Sequence, residues 1–199
     1  MKRKALDLIL TGGGAVLAVI LIAAGALLLW GSNFSANQVH NQLAMQQVYF
    51  PTKAQLAHPT GTEVKKTMIP YLSPYAGQQV LTGTQAQVYA THFIRVHLSE
   101  MPFGGVYAKV SAASRAHPTT AKLAGLVDTV FKGTTLRSIL LEAYGFSIFG
   151  NLAFDGALAA FAAAGLMLIL TGMGLWHITR TPVEVEFPKS LGSASAKAA

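Results

Sequence analysis

The chain has 199 residues, 52% of them hydrophobic and only 12% charged, with a formal net charge of +7. About a quarter of the residues in soluble domains are charged, so this composition excludes an ordinary soluble domain. There are no cysteines, which excludes disulfides, thiolate metal sites and cysteine nucleophiles. The positive balance does not imply nucleic acid as a partner, because no Lys/Arg block is interleaved with aromatics; basic groups beside anionic lipid head groups account for it.

Residues 1–7 open with Met1-Lys2-Arg3-Lys4 and are predicted to be a cytoplasmic N-terminus. Residues 8–30 form an apolar run longer than the ~7–15 residues of a signal-peptide core. The run ends in Leu-Leu-Leu-Trp with no small-x-small cleavage site, so it is predicted to stay as transmembrane helix 1, with Trp30 at the interface. Residues 31–148 are predicted to form a helical extracytoplasmic domain. Ser35 is placed to cap a helix over 36–49, with Val39 and Leu43 as a weak apolar stripe. Pro51, Pro59, Pro70 and Pro74 then mark an irregular loop of about 20 residues, long enough to be functional or mobile.

The helical pattern resumes over 84–98, where Ala86, Tyr89, Ala90, Phe93 and His97 define a buried face. Met101-Pro102-Phe103-Gly104-Gly105 ends it, and a short helix follows over 106–116. A helix over 121–131 is expected to be capped by Thr119 or Thr120 and stopped at Gly133. From Thr134 or Thr135 a further helix, with Leu136, Ile139, Leu140, Tyr144 and Ile148 as its stripe, meets no breaker before the second apolar run at 149–176. That run exceeds the roughly 20 residues needed to cross ~30 Å of hydrocarbon, and is predicted as transmembrane helix 2. Trp176 marks its far interface. Asp155, its one charge, is expected at the outer boundary as an anchor or an inter-helix bond. Residues 177–199 are predicted to be a cytoplasmic, largely disordered tail.

Lys2, Arg3 and Lys4 before the first span, and Arg180 after the second, place both termini in the cytoplasm by the positive-inside rule. The expected fold is therefore all-α: two transmembrane helices flanking a helical extracytoplasmic domain, in the cell membrane. The pattern Tyr75-Ala76-Gly77-Gln78-Gln79-Val80, Thr82-Gly83, Gln85-Ala86, Tyr89-Ala90, His92-Phe93-Ile94 and Val96-His97-Leu98 resembles small two-span membrane proteins of actinobacteria. The resemblance covers most of the chain and implies architecture, with no activity attached.

Three sets of residues are candidates for function. His92 and His97, with Glu100 close behind, are the obvious metal-ligating pair, but residues five apart on a straight helix differ by about 140°, so the two histidines do not converge. His97 falls in line with Phe93 and Tyr89 as a core histidine bonded to a neighbour, and Glu100 is three residues on, within its reach. Gly156, Ala160 and Ala164 form a small-residue ridge on the second span, and Gly14 with Ala18 one on the first, which suits close helix packing. Trp30, Trp176 and Asp155 are the interfacial set. No nucleophile motif or phosphate loop is present, and no cofactor is expected. The reading that follows is a non-enzymatic membrane protein, an accessory or scaffold subunit whose partners are lipid and other membrane subunits or a second copy of itself. The alternative is a membrane-anchored enzyme or metal-binding protein with its site in the helical domain.

Overall fold

The computed structural model describes residues 3–180, and among these the chain is all-α, with an isolated antiparallel bridge between Tyr49 and Gln79 and no strand. Most of the expected tail, 181–199, lies outside the described residues. Two helices dominate: α1, Arg3–Gln46, and α7, Ala121–Arg180. Each contains an 18-residue window of high mean hydropathy, 2.4 in α1 and 2.1 in α7. Only 11% and 6% of those windows are buried, so neither is a core helix wrapped by protein; both are long and apolar enough to cross a membrane. The chain divides into two compact units, one of residues 3–30 with 153–180, the other Gly31–Leu152.

In the first unit the two helices run antiparallel. Leu28 lies against Gly156, Phe161 over Gly25, Thr171 over Gly14 and Thr11 over Gly174. In the part of α1 that belongs to this unit Thr11, Ala18 and Gly25 are buried, and the half-buried Asp7, Gly14 and Leu21 interleave with them at alternating steps of four and three. On α7 the same step selects Ala153, Ala157, Ala160, Ala164, Met167, Thr171 and Gly174. That 3.5-residue step is the seam of helices packed at a shallow angle. Its small residues bring the backbones close: a Cβ on Gly25 would stand 2.8 Å from the Phe161 ring. The outer faces carry exposed leucine, isoleucine and phenylalanine throughout.

The second unit has a core of conventional side chains, with Val64, Met68, Leu72, Val80 and Leu140 fully buried. Three of these come from the proline-rich stretch, which is not a loose loop. A reciprocal capping box between Thr52 and Gln55 starts α2 (Lys53–Ala57), and Pro70 sits in the first turn of α3 (Ile69–Leu72), where its missing N–H costs nothing. A 3-10 turn at Ser73–Tyr75 follows. The return is held by Phe50 N–H donating to Gln78 O at 2.9 Å and Val80 N–H to Val48 O at 2.8 Å. A second capping box, Thr82 with Gln85, opens α4 (Gly83–Tyr89), which passes through a π turn at Ala90–Ile94 into α5 (Arg95–Ser99). A 3-10 turn at Pro102–Gly105 leads to α6 (Tyr107–Ala116).

Two expected helix ends are absent. Ser35 does not cap a new helix: α1 passes through it, and its hydroxyl donates to Phe146 O at 2.8 Å, so it serves tertiary packing instead. Gly133 does not stop a helix either. It lies inside α7, where a Cβ would come within 2.8 Å of Leu98 Cδ2; the glycine makes room for α5.

Candidate functional site

The histidine-carboxylate set is not assembled into one centre. His97 Nδ1 is 2.8 Å from Phe93 O, the carbonyl four residues back on the same helix. His92 stacks flat on Tyr71, with ring centroids 3.6 Å apart and planes 8° from parallel. Burial, and then the charge of Arg95, hold its pKa below the usual 6.5. Glu100 pairs with Lys65. Among the described residues no three His, Asp or Glu side chains are grouped to hold a metal ion. What the segment builds instead is an aromatic row. Tyr75 stacks on Phe50 at 5.2 Å, Phe50 meets Tyr89 edge-on at 5.4 Å, and Phe93 and His97 continue it at 4.7 and 4.6 Å. Tyr89 lies deep in that row, and burial, with Glu63 adding to it, raises its pKa above 10.0.

The small residues of the spans lie on or beside the seam. Ala18 and Ala164 are buried, Gly14, Gly156 and Ala160 half-buried, and Gly156 has Leu28 Cδ1 3.3 Å from where its Cβ would be. That contact sets Trp30 and Asp155 at about the same level of the helix pair. From there to Trp176 the helix rises roughly 32 Å at 1.5 Å per residue, close to the thickness of a hydrocarbon core. Trp30 and Trp176 are both exposed, the latter with the Arg180 guanidinium 4.4 Å from its ring centroid. Asp155 is exposed and forms no ion pair among the described residues.

The polar cluster of the first unit was not anticipated. At its other end Asp7, Thr11, Gly13, Gly14 and Leu17 of α1 face Met167, Thr171, Gly174 and His177 of α7 around a cleft of about 470 Å³. His177 Nε2 stands 4.0 Å from Asp7 Oδ2. Asp7 Oδ2 and Thr171 Oγ1 are both shielded, and neither has a hydrogen-bond partner. Thr129 and Thr179, by contrast, donate to the preceding turn of the same helix, to Gly125 O and Trp176 O. The signal in the sequence is reciprocal: with the two runs written antiparallel so that Thr11 falls on Gly174, Thr171 falls on Gly14 and Asp7 comes within one position of His177. Read singly, the first span offers Thr11 only as a small residue of a packing ridge, and the second span does not mark Thr171 at all.

The second unit offers a surface. An apolar groove of about 560 Å³ runs between Met101-Pro102 and the start of α7, lined by Leu123, Leu126 and Thr129. Beside it Phe103, Val106, Tyr107 and Phe131 are exposed, the last two in ring contact at 5.7 Å. Phe103 is 46% exposed and holds φ +60°, a left-handed conformation that costs a non-glycine residue about 1 kcal/mol or more. Compared with protein-family models, with curated proteins and with solved structures, the chain finds no match.

Proposed function

We propose that this is a two-span membrane protein with both termini in the cytoplasm and residues 31–148 outside, acting without catalysis as an accessory or scaffold subunit that binds another membrane protein. The apolar groove beside Met101-Pro102, with Phe103, Tyr107 and Phe131 exposed at its side, carries this reading. Four apolar side chains exposed together beside an apolar recess form a patch, and aromatic groups at such a recess are the usual anchors of a protein interface. The strained Phe103 supports it, because backbone strain persists where surrounding structure or function maintains it. Separate engagement of His92, His97 and Glu100 is consistent with a surface, not a reaction centre, as the working part. The level match of Trp30 and Trp176 to one bilayer thickness supports the spans, and the basic residues at the N-terminus support the orientation.

The test is a photo-reactive phenylalanine analogue at position 103, in the full chain in its native membrane. One discrete adduct is expected, reduced strongly by Phe131→Asp and not seen with the analogue at the exposed Ala57. Equal labelling at both positions, or none at 103, would overturn the docking surface. Because the chain lacks cysteine, topology is read independently. Thr62→Cys should react with an impermeant maleimide on intact cells, and Ser195→Cys only after permeabilisation.

A further inference from the structure

The cleft at the Asp7–His177 end has the layered chemistry of a lipid. Its mouth holds a carboxylate and an imidazole, and its walls are Leu10, Leu17 and Met167. Asp7 faces His177, one residue beyond Trp176, so with the helices as spans the mouth lies in the head-group layer and the walls in hydrocarbon. This step rests on the membrane reading proposed above. Thr171 lies about 9 Å deeper than His177 along the helix. Two buried oxygens without a hydrogen-bond partner share this cleft: Asp7 Oδ2, an acceptor, and Thr171 Oγ1, a hydroxyl that can donate or accept. Polar groups shielded in a membrane without partners are costly, and the cost is removed by a ligand that supplies a donor to Asp7 and an acceptor oxygen at the depth of the Thr171 hydroxyl. The volume, about 470 Å³, falls in the range of small-ligand sites.

We infer that this cleft binds one primary-ammonium amphiphile, with its ammonium on Asp7, a linker oxygen accepting from the Thr171 hydroxyl, and its alkyl chain along Leu10, Leu17 and Met167. An ammonium is the fitting donor because a charge-assisted hydrogen bond to a carboxylate is about twice as strong as a neutral one. A bare divalent ion fits poorly, because no third carboxylate or imidazole joins Asp7 and His177 among the described residues. A neutral alkyl chain alone would leave the carboxylate unsatisfied. An aminophospholipid of the cytoplasmic leaflet supplies this chemistry; a soluble amine shares only the head.

The test titrates the detergent-purified full chain, followed by native mass spectrometry, with phosphatidylethanolamine, phosphatidylcholine, dodecylamine and ethanolamine. Phosphatidylcholine has the same phosphate and chains, but its methylated nitrogen donates no hydrogen bond. One phosphatidylethanolamine per chain is expected, held about tenfold or more tighter than phosphatidylcholine, the worth of one hydrogen bond to a charged group. Dodecylamine should displace it and ethanolamine should not. Asp7→Asn should abolish the preference. The near-isosteric Thr171→Val, whose helix content is checked by circular dichroism, should weaken it. Equal binding of the two phospholipids, or an Asp7→Asn chain that keeps the preference, overturns the site. Competition by ethanolamine at the same concentration as dodecylamine overturns the role of the alkyl walls. A lysine-bearing transmembrane peptide that binds through Asp7 where phosphatidylethanolamine does not would assign the cleft to a partner helix and overturn the lipid. Release of the chain from membranes by alkaline carbonate would remove the membrane reading itself. A detergent-dependent chain without the lipid preference removes this inference alone.

Discussion

Residues 31–152 bury Met68, Leu72, Val80 and Leu140 completely, whereas residues 3–30 and 153–180 bury alanines, a glycine and Thr11 and leave nearly all their large apolar side chains outside. The two units use one set of residue types in opposite places. In water the cohesion of a fold scales with the apolar area it hides, so the large side chains go inward. Between helices in lipid that driving force is missing, since the tails are as apolar as leucine. What remains is close contact, and glycine and alanine permit it. On the membrane reading proposed above, the difference between the units is a difference of solvent, and the same mutation should have different consequences in each.

The largest effect is expected where water is the solvent. Leu72→Ala removes a fully buried side chain from the second unit and should cost about 2–5 kcal/mol. Hydrogen exchange by mass spectrometry on the detergent-solubilised chain should show faster exchange through the second unit, while peptides from 8–30 and 158–175 stay protected. Loss of protection in both sets together would break the comparison, because it would make the units one cooperative body.

The converse test enlarges a seam residue. Gly25→Leu drives a side chain into the Phe161 ring, whose nearest atom is already 2.8 Å from an added Cβ. Overpacking of this kind costs about 1–3 kcal/mol. It should separate the two helices of the first unit, seen as loss of a cross-link engineered between Leu28→Cys and Gly156→Cys, with exchange in the second unit unchanged. A cross-link forming at the wild-type rate would show that the seam is not where cohesion resides.

Much of this contrast was legible in the sequence and some was not, for identifiable reasons. Long apolar runs and all-α periodicity are local signals, and the two long helices follow from them. The ends at Ser35 and Gly133 were misread because a serine or glycine looks the same whether it ends a helix or faces a neighbour; Phe146 O and Leu98 decide between the two, and both are distant in sequence. The proline-rich stretch looked irregular, and its short helices are irregular, yet it supplies Val64, Met68 and Leu72 to the core because burial depends on tertiary placement, not on helix length. The Asp7 cleft was missed for a related reason. It exists only when two runs more than 150 residues apart in sequence are set antiparallel at one register.

A smaller effect tests the electrostatics of the second unit. The His92 pKa lies below 6.5 in the fold, first through burial and then through Arg95. The unfolded chain therefore binds the proton more readily, so this contribution to stability is present above pH ~6.5 and is lost as pH falls through the lowered folded value. Exchange in peptides covering 69–94 should accelerate between pH 7 and pH 5 after correction for intrinsic rates. His92→Gln should flatten that dependence, and an equal slope in the variant would place the titration elsewhere.

The smallest effect is the most discriminating, because it repeats the first mutation under the other solvent. Leu168→Ala removes the same atoms as Leu72→Ala, but from a residue that is half exposed on the outer face of α7. In lipid the leucine touches methylene chains in both the paired and the separated state of the helices, so its truncation cancels between them. A change within about 0.5 kcal/mol is expected for helix pairing in bicelles, the ordinary range for an outward-facing substitution. Leucine-to-alanine would then be costly in one unit and neutral in the other, with identical chemistry and only the surroundings altered. A loss at Leu168 comparable to that at Leu72 would mean that this face is covered by protein. The lipid-facing assignment would then pass from α7 to whatever subunit covers it.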